Sequence, residues 1–284
     1  MNTPTTGIHD MPFADYLAHP GFGSSDLKAF RAGPPAVVKW KRENRGDDTT
    51  ATIIGRAAHC AIITPDLFED EFAVKPEGME FRSKEDKAIR DKWLADGKTI
   101  LSHEQWLQVL EVQKAFHSKA LASGSLEHSI GREASMFWTC PESGLQCKGR
   151  PDWYGSTRVF DLKVSIAATK SVEGLTWQCH NMGWLNQLPH NRAGLRANGV
   201  NVKDGALVVI APNPPQAAQA WLLKLTEDDC DFLELENENT RKGLAECVRK
   251  DHWPGTPDDW QRIELPSSAT WTELDLEDTE EAVL

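Results

Sequence analysis

Two acidic residues and a lysine lie on two short segments that have the composition of neighbouring β-strands. Asp152 follows Pro151, and Asp161 and Lys163 flank Leu162 within a run of β-forming residues. Because side chains alternate along a strand, Asp161 and Lys163 share one face of theirs, and Asp152 can face them across a hairpin. Paired carboxylates hold Mg²⁺, and a neighbouring ammonium can act on an attacking water. The pattern Pro-Asp…Asp-x-Lys therefore indicates metal-dependent hydrolysis, although Asp-x-Lys alone also occurs on solvated strand edges.

Three residues near this pattern can extend the site. Glu133 opens the strand before Asp152, so its carboxylate can reach the same end of the sheet. Arg150 is next but one to Asp152 and is either a bidentate phosphate ligand or one half of a structural salt bridge. His59 interrupts an otherwise apolar helix, where a single histidine is more often a hydrogen-bonded core residue than a metal ligand. The residues alone leave both alternatives open.

The elements that must position these residues follow from hydrophobic periodicity and turn residues. The predicted helices lie at residues 52–63, twice between 81 and 122, at 172–197 and at 227–249, and the predicted strands at 134–140, 146–154, 159–163, 205–212 and 218–225. Pro189 is expected to kink the helix over 172–197 or to mark its start. This order predicts an α/β (α+β) fold with a mixed central sheet flanked by helices.

The net charge of −12 at pH 7 argues at first against a protein that binds nucleic acid. The excess of acidic residues is confined to the part of the chain after residue 225, however, and the preceding part is almost neutral. A basic groove is therefore compatible with the sequence. A cluster of Lys39, Lys41, Arg42 and Arg45 in a predicted helix is either a solvated face or a set of phosphate contacts.

The hydropathy and the cysteine content of the sequence indicate the cellular compartment of the protein. No apolar run reaches transmembrane length and the first residues lack the regions of a signal peptide, so we expect a cytoplasmic protein with no membrane partner. The six cysteines include no Cys-x-x-Cys pair, which argues against a zinc knuckle, and their spacing does not support an iron–sulfur cluster. Cys140 and Cys147 flank a predicted turn and are expected to be reduced thiols.

Several short segments occur together in the order expected of one nuclease family. They are Gly21–Leu27, Gly55–His59, Arg132–Ser135, Cys147–Asp152, Phe160–Lys163, Trp184–Gln187 and Asp251–Pro254. On these segments the chain resembles the RecE-type exonuclease domain, the phage and prophage exonuclease VIII group of the PD-(D/E)xK superfamily. The resemblance implies a restriction-endonuclease-like core in one domain at residues 1–265, with an arm and helices at 1–50 and the nuclease core at 51–225. The acidic residues 266–284 are expected to form a disordered tail.

The resemblance also assigns roles to individual residues. It implies metal ligation by His59, Asp152, Asp161, Glu133 and the main-chain carbonyl of Leu162, and catalytic roles for Lys163, Asp161, Asp152, Glu133 and Gln187. Gln187 matches the glutamine of a Gln-x-x-x-Tyr motif. The chain departs from this motif, because Asn191 replaces the tyrosine and Pro189 lies within it, so the placement of Gln187 is in doubt. Our candidates for contacts to DNA phosphates are Arg150, Arg56, Arg82 and Lys84.

The function implied by the resemblance is digestion of linear double-stranded DNA from 5′ ends, leaving 3′ single strands for recombination by annealing. It implies one or two Mg²⁺ or Mn²⁺ ions in each site, a ring-shaped homo-oligomer expected to be a tetramer, a RecT-like single-strand annealing partner and a bacterial host cell. Two alternatives stay open. One is a different PD-(D/E)xK endonuclease or repair nuclease, and the other is a non-catalytic DNA-binding relative, which the altered Gln187 motif and the net acidity favour.

Overall fold

The computed structural model describes residues 6–44, 46, 48–212 and 220–260. Numbered along the chain, the strands are β1 (Gly7–His9), β2 (Phe72–Val74), β3 (Thr99–Leu101), β4 (Gly131–Arg132), β5 (Ser135–Thr139), β6 (Gln146–Gly149), β7 (Trp153–Tyr154), β8 (Arg158–Val164), β9 (Asp204–Ile210) and β10 (Ala220–Leu225). The helices are α1 (Phe13–Ala18), α2 (Ser24–Ala32), α3 (Pro35–Glu43), α4 (Thr50–Ile63), α5 (Phe68–Glu71), α6 (Lys84–Ala95), α7 (His103–His117), α8 (Ala120–Glu127), α9 (Val172–Asn181), α10 (Trp184–Ala197) and α11 (Glu227–Lys250). The predicted acidic tail at residues 266–284 and Arg45 lie outside the described residues.

The central sheet has five strands in the order β10-β9-β8-β7-β4. Strands β8 and β9 are parallel, with Asp161 opposite Leu207, and the other neighbours are antiparallel. Central strands that are covered on both faces are normally apolar, so the buried Asp161 in β8 requires polar or charged partners. The predicted α/β fold with a mixed central sheet is confirmed.

The two faces of this sheet are covered by different helices. Leu162 and Val208 belong to a core cluster with α4 and α7, whereas Leu207 and Val209 belong to a second cluster with α9 and α10. Each fully buried side chain of this size stabilises the fold by about 1.5–3 kcal/mol. Packing of the apolar side chains therefore fixes α4 and α10 on opposite faces of the same strands.

A second sheet carries the N-terminal helices. Strands β1, β5 and β6 form it, and Leu27 of α2, Val38 of α3 and Leu244 of α11 pack with Cys147 of β6 in a third core cluster. Helix α2 also contacts α10. The N-terminal helices are thereby held beside the central sheet, although they belong to a different layer.

Helix boundaries follow local capping signals. The side chain of Thr49 accepts a hydrogen bond from the N–H of Thr52 at the start of α4, and Ser102 forms a capping box with Gln105 at the start of α7. None of the described helices has both the length and the apolar character that a membrane span requires. All six cysteines are buried and free.

The helix predicted over residues 172–197 is two helices, and Pro189 does not mark the start of the second. The chain turns at Gly183, which has a left-handed backbone (φ +69°) and donates its N–H to the carbonyl of His180 at 2.9 Å. Helix α10 continues through Pro189, which is buried within it. A short parallel pair, β2 and β3, was not predicted, because each strand has only three residues.

Candidate active site

A kink in one hairpin creates the acidic end of the candidate site. Strands β4 and β5 face β7 and β6 in one unbroken register on both sides of the kink. At the kink Glu133 has a left-handed backbone (φ +45°) and donates its N–H to the carbonyl of Asp152 at 3.0 Å. Pro151 has no N–H to continue the ladder. The strand predicted over 146–154 is therefore two strands, which belong to two different sheets. Glu133 and Asp152 lie opposite each other at the point where the hairpin passes from one sheet to the other.

Strand β8 adds an ion pair. Asp161 and Lys163 project from the same face, with Asp161 Oδ2 2.6 Å from Lys163 Nζ. Gln187 of α10 bridges them, since its Nε2 donates to Asp161 Oδ1 at 2.7 Å and its Oε1 accepts from Lys163 Nζ at 3.0 Å. The ring centroid of Trp184, on the same helix, is 6.0 Å from Nζ. Pro189 thus does not displace Gln187 from these groups.

Helix α4 brings His59 to the opposite side of the carboxylates. Its Nδ1 lies 3.5 Å from Asp152 Oδ2. Leu162 donates its N–H to Asp152 Oδ2 at 2.5 Å. One ligand atom from each of His59, Glu133 and Asp152 lies within 4.8 Å of the other two. We call these three residues the ligand triad.

Burial and mutual repulsion set the protonation of the acidic groups. Burial raises the pKa of Asp152 well above its usual range, and the charges of Asp161 and Glu133 raise it further. Burial also raises the pKa of Glu133, against the opposing effect of Arg150. The pKa of Asp161 is raised by burial as well, although the Lys163 ammonium works in the other direction. The site therefore concentrates more negative charge than its own cations neutralise.

The two nitrogen bases respond in opposite directions. Burial tends to lower the pKa of Lys163, but the carboxylates of Asp161 and Asp152 outweigh it and the pKa is raised, so the ammonium is retained. Burial, followed by the charge of Lys163, lowers the pKa of His59 to about 3. At neutral pH the His59 imidazole is therefore uncharged, which is the form that binds metals.

The donor set of the ligand triad fits a divalent cation. Two carboxylates and a neutral imidazole converge, and the carboxylates are buried close to a third acidic residue, Asp161. Such a cation would relieve the repulsion that raises their pKa values. The sequence prediction named His59, Asp152, Asp161 and Glu133 as ligands. The structure brings His59, Glu133 and Asp152 together, and Lys163 and Gln187 contact the two oxygens of the neighbouring Asp161.

Most of the basic side chains predicted to contact DNA have acidic partners in the structure. The pairs are Arg150 with Glu133 (2.8 Å), Arg56 with Asp48, and Arg82 with Glu80 (2.8 Å). The Arg150 side chain is only 13% exposed, which favours the salt-bridge alternative. That of Arg82 is 85% exposed, and Lys84 begins α6 rather than lying in a loop. Within the described ranges, no contact joins Arg82 or Lys84 to the carboxylates.

One basic neighbour of the site was not predicted. Lys28 of α2 packs its side chain on Gly183, and its ammonium lies within the electrostatic range of Lys163. A single lysine in an amphipathic helix carries no signal of its own. Only the contact between α2 and α10 brings Lys28 to the site, so the sequence offered no means of finding it.

A mixed sheet with Asp152, Asp161 and Lys163 at a strand end is the architecture of the PD-(D/E)xK nuclease fold. The chain belongs to the family of PDDEXK-like domains of unknown function (DUF3799), whose sequence model matches residues 23–187. This match confirms the resemblance to the PD-(D/E)xK superfamily that the sequence segments indicated. No curated protein matches the sequence at a significant level.

Solved structures show the same fold. The chain is similar to a candidate exonuclease from Eubacterium rectale with a TM-score of 0.61 and 13% sequence identity, over 94% of this chain and 98% of that one. It is also aligned with LHK-Exo, solved in complex with dAMP, at 12% identity over 69% of this chain and 91% of that one, with a TM-score of only 0.32. At these identities the first likeness establishes the fold, and the second adds no argument.

Proposed function

We propose that the protein is a metal-dependent deoxyribonuclease that degrades linear double-stranded DNA from its ends. The observation that carries this proposal is the convergence of the ligand triad with Asp161, Lys163 and Gln187 at one end of β8. A structural ion pair does not account for several acidic residues gathered beside a neutral imidazole, whereas a metal-dependent hydrolytic site for phosphodiesters uses such ligands.

His59, Glu133 and Asp152 would hold the cation, and the carbonyl of Leu162 is beside them. Oxygen-rich ligation favours Mg²⁺ or Mn²⁺, and the imidazole favours Mn²⁺. When bound, the ion would supply Lewis-acid chemistry by neutralising charge on the scissile phosphate. We propose one ion in the ligand triad. A second ion would need Asp161 as a further ligand.

Lys163 supplies a fixed positive charge rather than a base. Its ammonium is retained because the carboxylates of Asp161 and Asp152 raise its pKa. The ammonium also donates a hydrogen bond to Gln187 Oε1 at 3.0 Å. A retained ammonium can orient the attacking water and stabilise the charge that develops on the phosphate oxygens. Asp161 and Gln187 hold Nζ in place, so we assign Gln187 a positioning role.

The finer features of the proposal rest on the resemblance to RecE-type exonucleases. We propose digestion in the 5′ to 3′ direction, which leaves 3′ single strands as substrates for recombination by annealing. We also propose a homo-oligomeric ring, with a tetramer as the expected form, and a single-strand annealing protein as partner. A ring that encircles DNA gives a physical reason for processive digestion.

The test uses a linear duplex labelled at one 5′ end and a covalently closed plasmid, each with Mg²⁺, Mn²⁺ or EDTA. We expect early release of labelled mononucleotide from the linear duplex in either metal, no release in EDTA, and an intact plasmid. Lys163→Ala is expected to lower the rate by at least about 100-fold, as expected for loss of a charge that acts on the transition state. Lys114→Ala, on the exposed side of α7, serves as control and should leave the rate unchanged.

The other outcomes discriminate between the alternatives. Cleavage of the closed plasmid would indicate an endonuclease. Release of label only after extensive shortening would indicate the opposite polarity. Binding of the duplex without cleavage in either metal would indicate a non-catalytic relative and would overturn the proposal.

A further inference from the structure

Two lysines of the N-terminal helices, Lys28 and Lys41, have no acidic partner among the described residues. Helices α2 and α3 contain five basic residues. Three of them are engaged: Arg31 with Asn237 and Glu236, Lys39 with Asp251 (3.7 Å), and Arg42 with Asp26 (2.9 Å). In the described part of the chain, Lys28 and Lys41 form no hydrogen bond or ion pair. Among the described members of the basic cluster seen in the sequence, Lys41 alone has no such partner, and Lys28 is the corresponding residue on α2.

The side chain of Lys28 is directed to the active site by packing. A Cβ atom on Gly183 would lie 3.1 Å from Cδ and 3.2 Å from Cγ of Lys28, so the aliphatic part of this lysine rests on the glycine between α9 and α10. Trp184, the next residue, lies over Lys163. A side chain at position 183 would push Lys28 away. The left-handed glycine thus serves both the turn and the approach of Lys28.

The ammonium groups of Lys41, on the neighbouring helix α3, and of Lys163 both repel that of Lys28. Burial lowers the pKa of Lys28, and the charges of Lys41 and Lys163 lower it further, with no carboxylate acting in the opposite direction. Asp161 is already paired with Lys163. Lysines without an acidic partner repel one another unless an anion binds near them. In a chain of net charge −12 this is a local exception.

We propose that Lys28 and Lys41 bind phosphates of the nucleic-acid strand next to the bond that is cut, so that α2 and α3 form the strand-binding wall of the active site. The inference rests on the proposed nuclease function and adds to it the path of the substrate. Lysine binds phosphate as a point charge and without base specificity. The contacts are therefore expected to act on all sequences alike.

The test measures binding of a fluorescently labelled duplex with a single-stranded overhang, by anisotropy in EDTA over a series of KCl concentrations. The variants are Lys28→Gln and Lys41→Gln, with Lys28→Arg to restore the charge. Lys114→Gln is the matched control, because α7 packs on the face of the sheet opposite to α10. We expect each glutamine variant to bind about 5- to 10-fold more weakly, with the salt slope shallower by about 0.7–0.9. Lys28→Arg and Lys114→Gln should match the wild type.

Measurements without metal separate this inference from the nuclease proposal. If the wild type binds DNA in EDTA but cleaves nothing with Mg²⁺ or Mn²⁺, the nuclease proposal fails, and the binding series still decides the role of the lysines. If cleavage occurs as proposed, the glutamine variants should raise KM more than they lower kcat. An unchanged salt slope in Lys28→Gln and Lys41→Gln, with circular dichroism showing folded protein, would overturn the inference. So would an equal loss of affinity in Lys114→Gln.

Discussion

Arg150 lies between Glu133 and the N-terminal arm, and its Nε and Nη1 both donate hydrogen bonds to groups of the protein. Nε donates to Glu133 Oε2 at 2.8 Å, and Nη1 donates to Ser135 Oγ at 2.6 Å and to the carbonyl of Met11 at 3.1 Å. A phosphate ligand needs donors that face the substrate. The geometry instead fits a residue that holds Glu133 in the orientation required of a metal ligand.

Substitution of Arg150 distinguishes a role in phosphate binding from a role in holding Glu133. We expect Arg150→Met to lower the free energy of unfolding by about 3 kcal/mol, because Glu133 is left largely buried without its partner. Denaturant unfolding of the metal-free protein measures this change. Arg82→Met, which breaks an exposed pair with Glu80, should change it by less than about 0.5 kcal/mol. Unchanged stability of Arg150→Met together with a raised KM for DNA would instead support the phosphate-binding role.

At the scale of elements, the sequence predicted the main helices and strands better than the joints between them. The residues of the kinked hairpin have the alternation of one continuous strand, and nothing local marks the left-handed backbone of Glu133, since this conformation is unusual for glutamate. Pro151 can be seen in the sequence, but whether it interrupts the strand depends on the presence of the second sheet. Pro189 is the stronger helix-breaking residue type, yet the chain turns at Gly183, whose left-handed backbone a glycine adopts without strain.

The candidate site also has a part that local sequence predicts and a part that depends on packing between elements. The spacing of Asp161 and Lys163 along one strand was sufficient to place them on one face, because strand periodicity is local. The resemblance named the residues of the ligand triad together with Asp161, but the distances between their ligand atoms depend on how α4 packs against the kinked hairpin. The contacts of Asp161 with Lys163 and Gln187 likewise depend on the packing of α10 on β8.

The close approach of α10 to β6 gives a prediction at the scale of elements. A Cβ on Gly149 would lie 2.7 Å from Asn191 Oδ1 and 2.8 Å from Met136 Cε, so there is no room for a side chain. We expect Gly149→Ala to lower the free energy of unfolding by about 1–3 kcal/mol through overpacking. Because α10 carries Gln187, kcat should fall as well. The contact also gives Asn191 a packing role at the position where the family motif has tyrosine.

Thermal unfolding and steady-state kinetics of Gly149→Ala provide the measurement. Gly155→Ala is the matched control in the same hairpin, since a Cβ there meets no atom within 4 Å. Equal melting temperatures for the two variants would show that α10 can move away from β6 without cost.

At the scale of the whole molecule, the distribution of charge is more informative than its sum. The net charge of −12 suggests poor affinity for DNA. Two local arrangements reverse this expectation: Lys28 near Lys163, with no acidic partner among the described residues, and buried carboxylates that favour a cation. The sequence predicted the carboxylates and their cation, but not Lys28, which reaches the site only through the contact between α2 and α10.

The buried carboxylates make metal binding a determinant of stability. The pKa values of Asp152, Glu133 and Asp161 are raised in the folded chain. For these groups the stabilising contribution is complete below their unfolded pKa values of about 4 and is lost as the pH rises through the folded values. Near neutral pH a divalent cation can replace the missing protons. At lower pH the protons compete with it.

We therefore expect Mn²⁺ at about 100 times its dissociation constant to stabilise the protein near neutral pH by about 2.7 kcal/mol, which is about 5–10 °C in Tm. The shift should shrink at about pH 5. Asp152→Asn keeps an acceptor for the Leu162 N–H but removes one buried charge, so the variant should lose the Mn²⁺ shift while its metal-free Tm stays level or rises. Asp66→Asn, an exposed control, should keep the shift. Equal shifts in the wild type and Asp152→Asn would place the ion outside the ligand triad, and a fall in the metal-free Tm of Asp152→Asn would show that repulsion among the carboxylates is not the dominant cost.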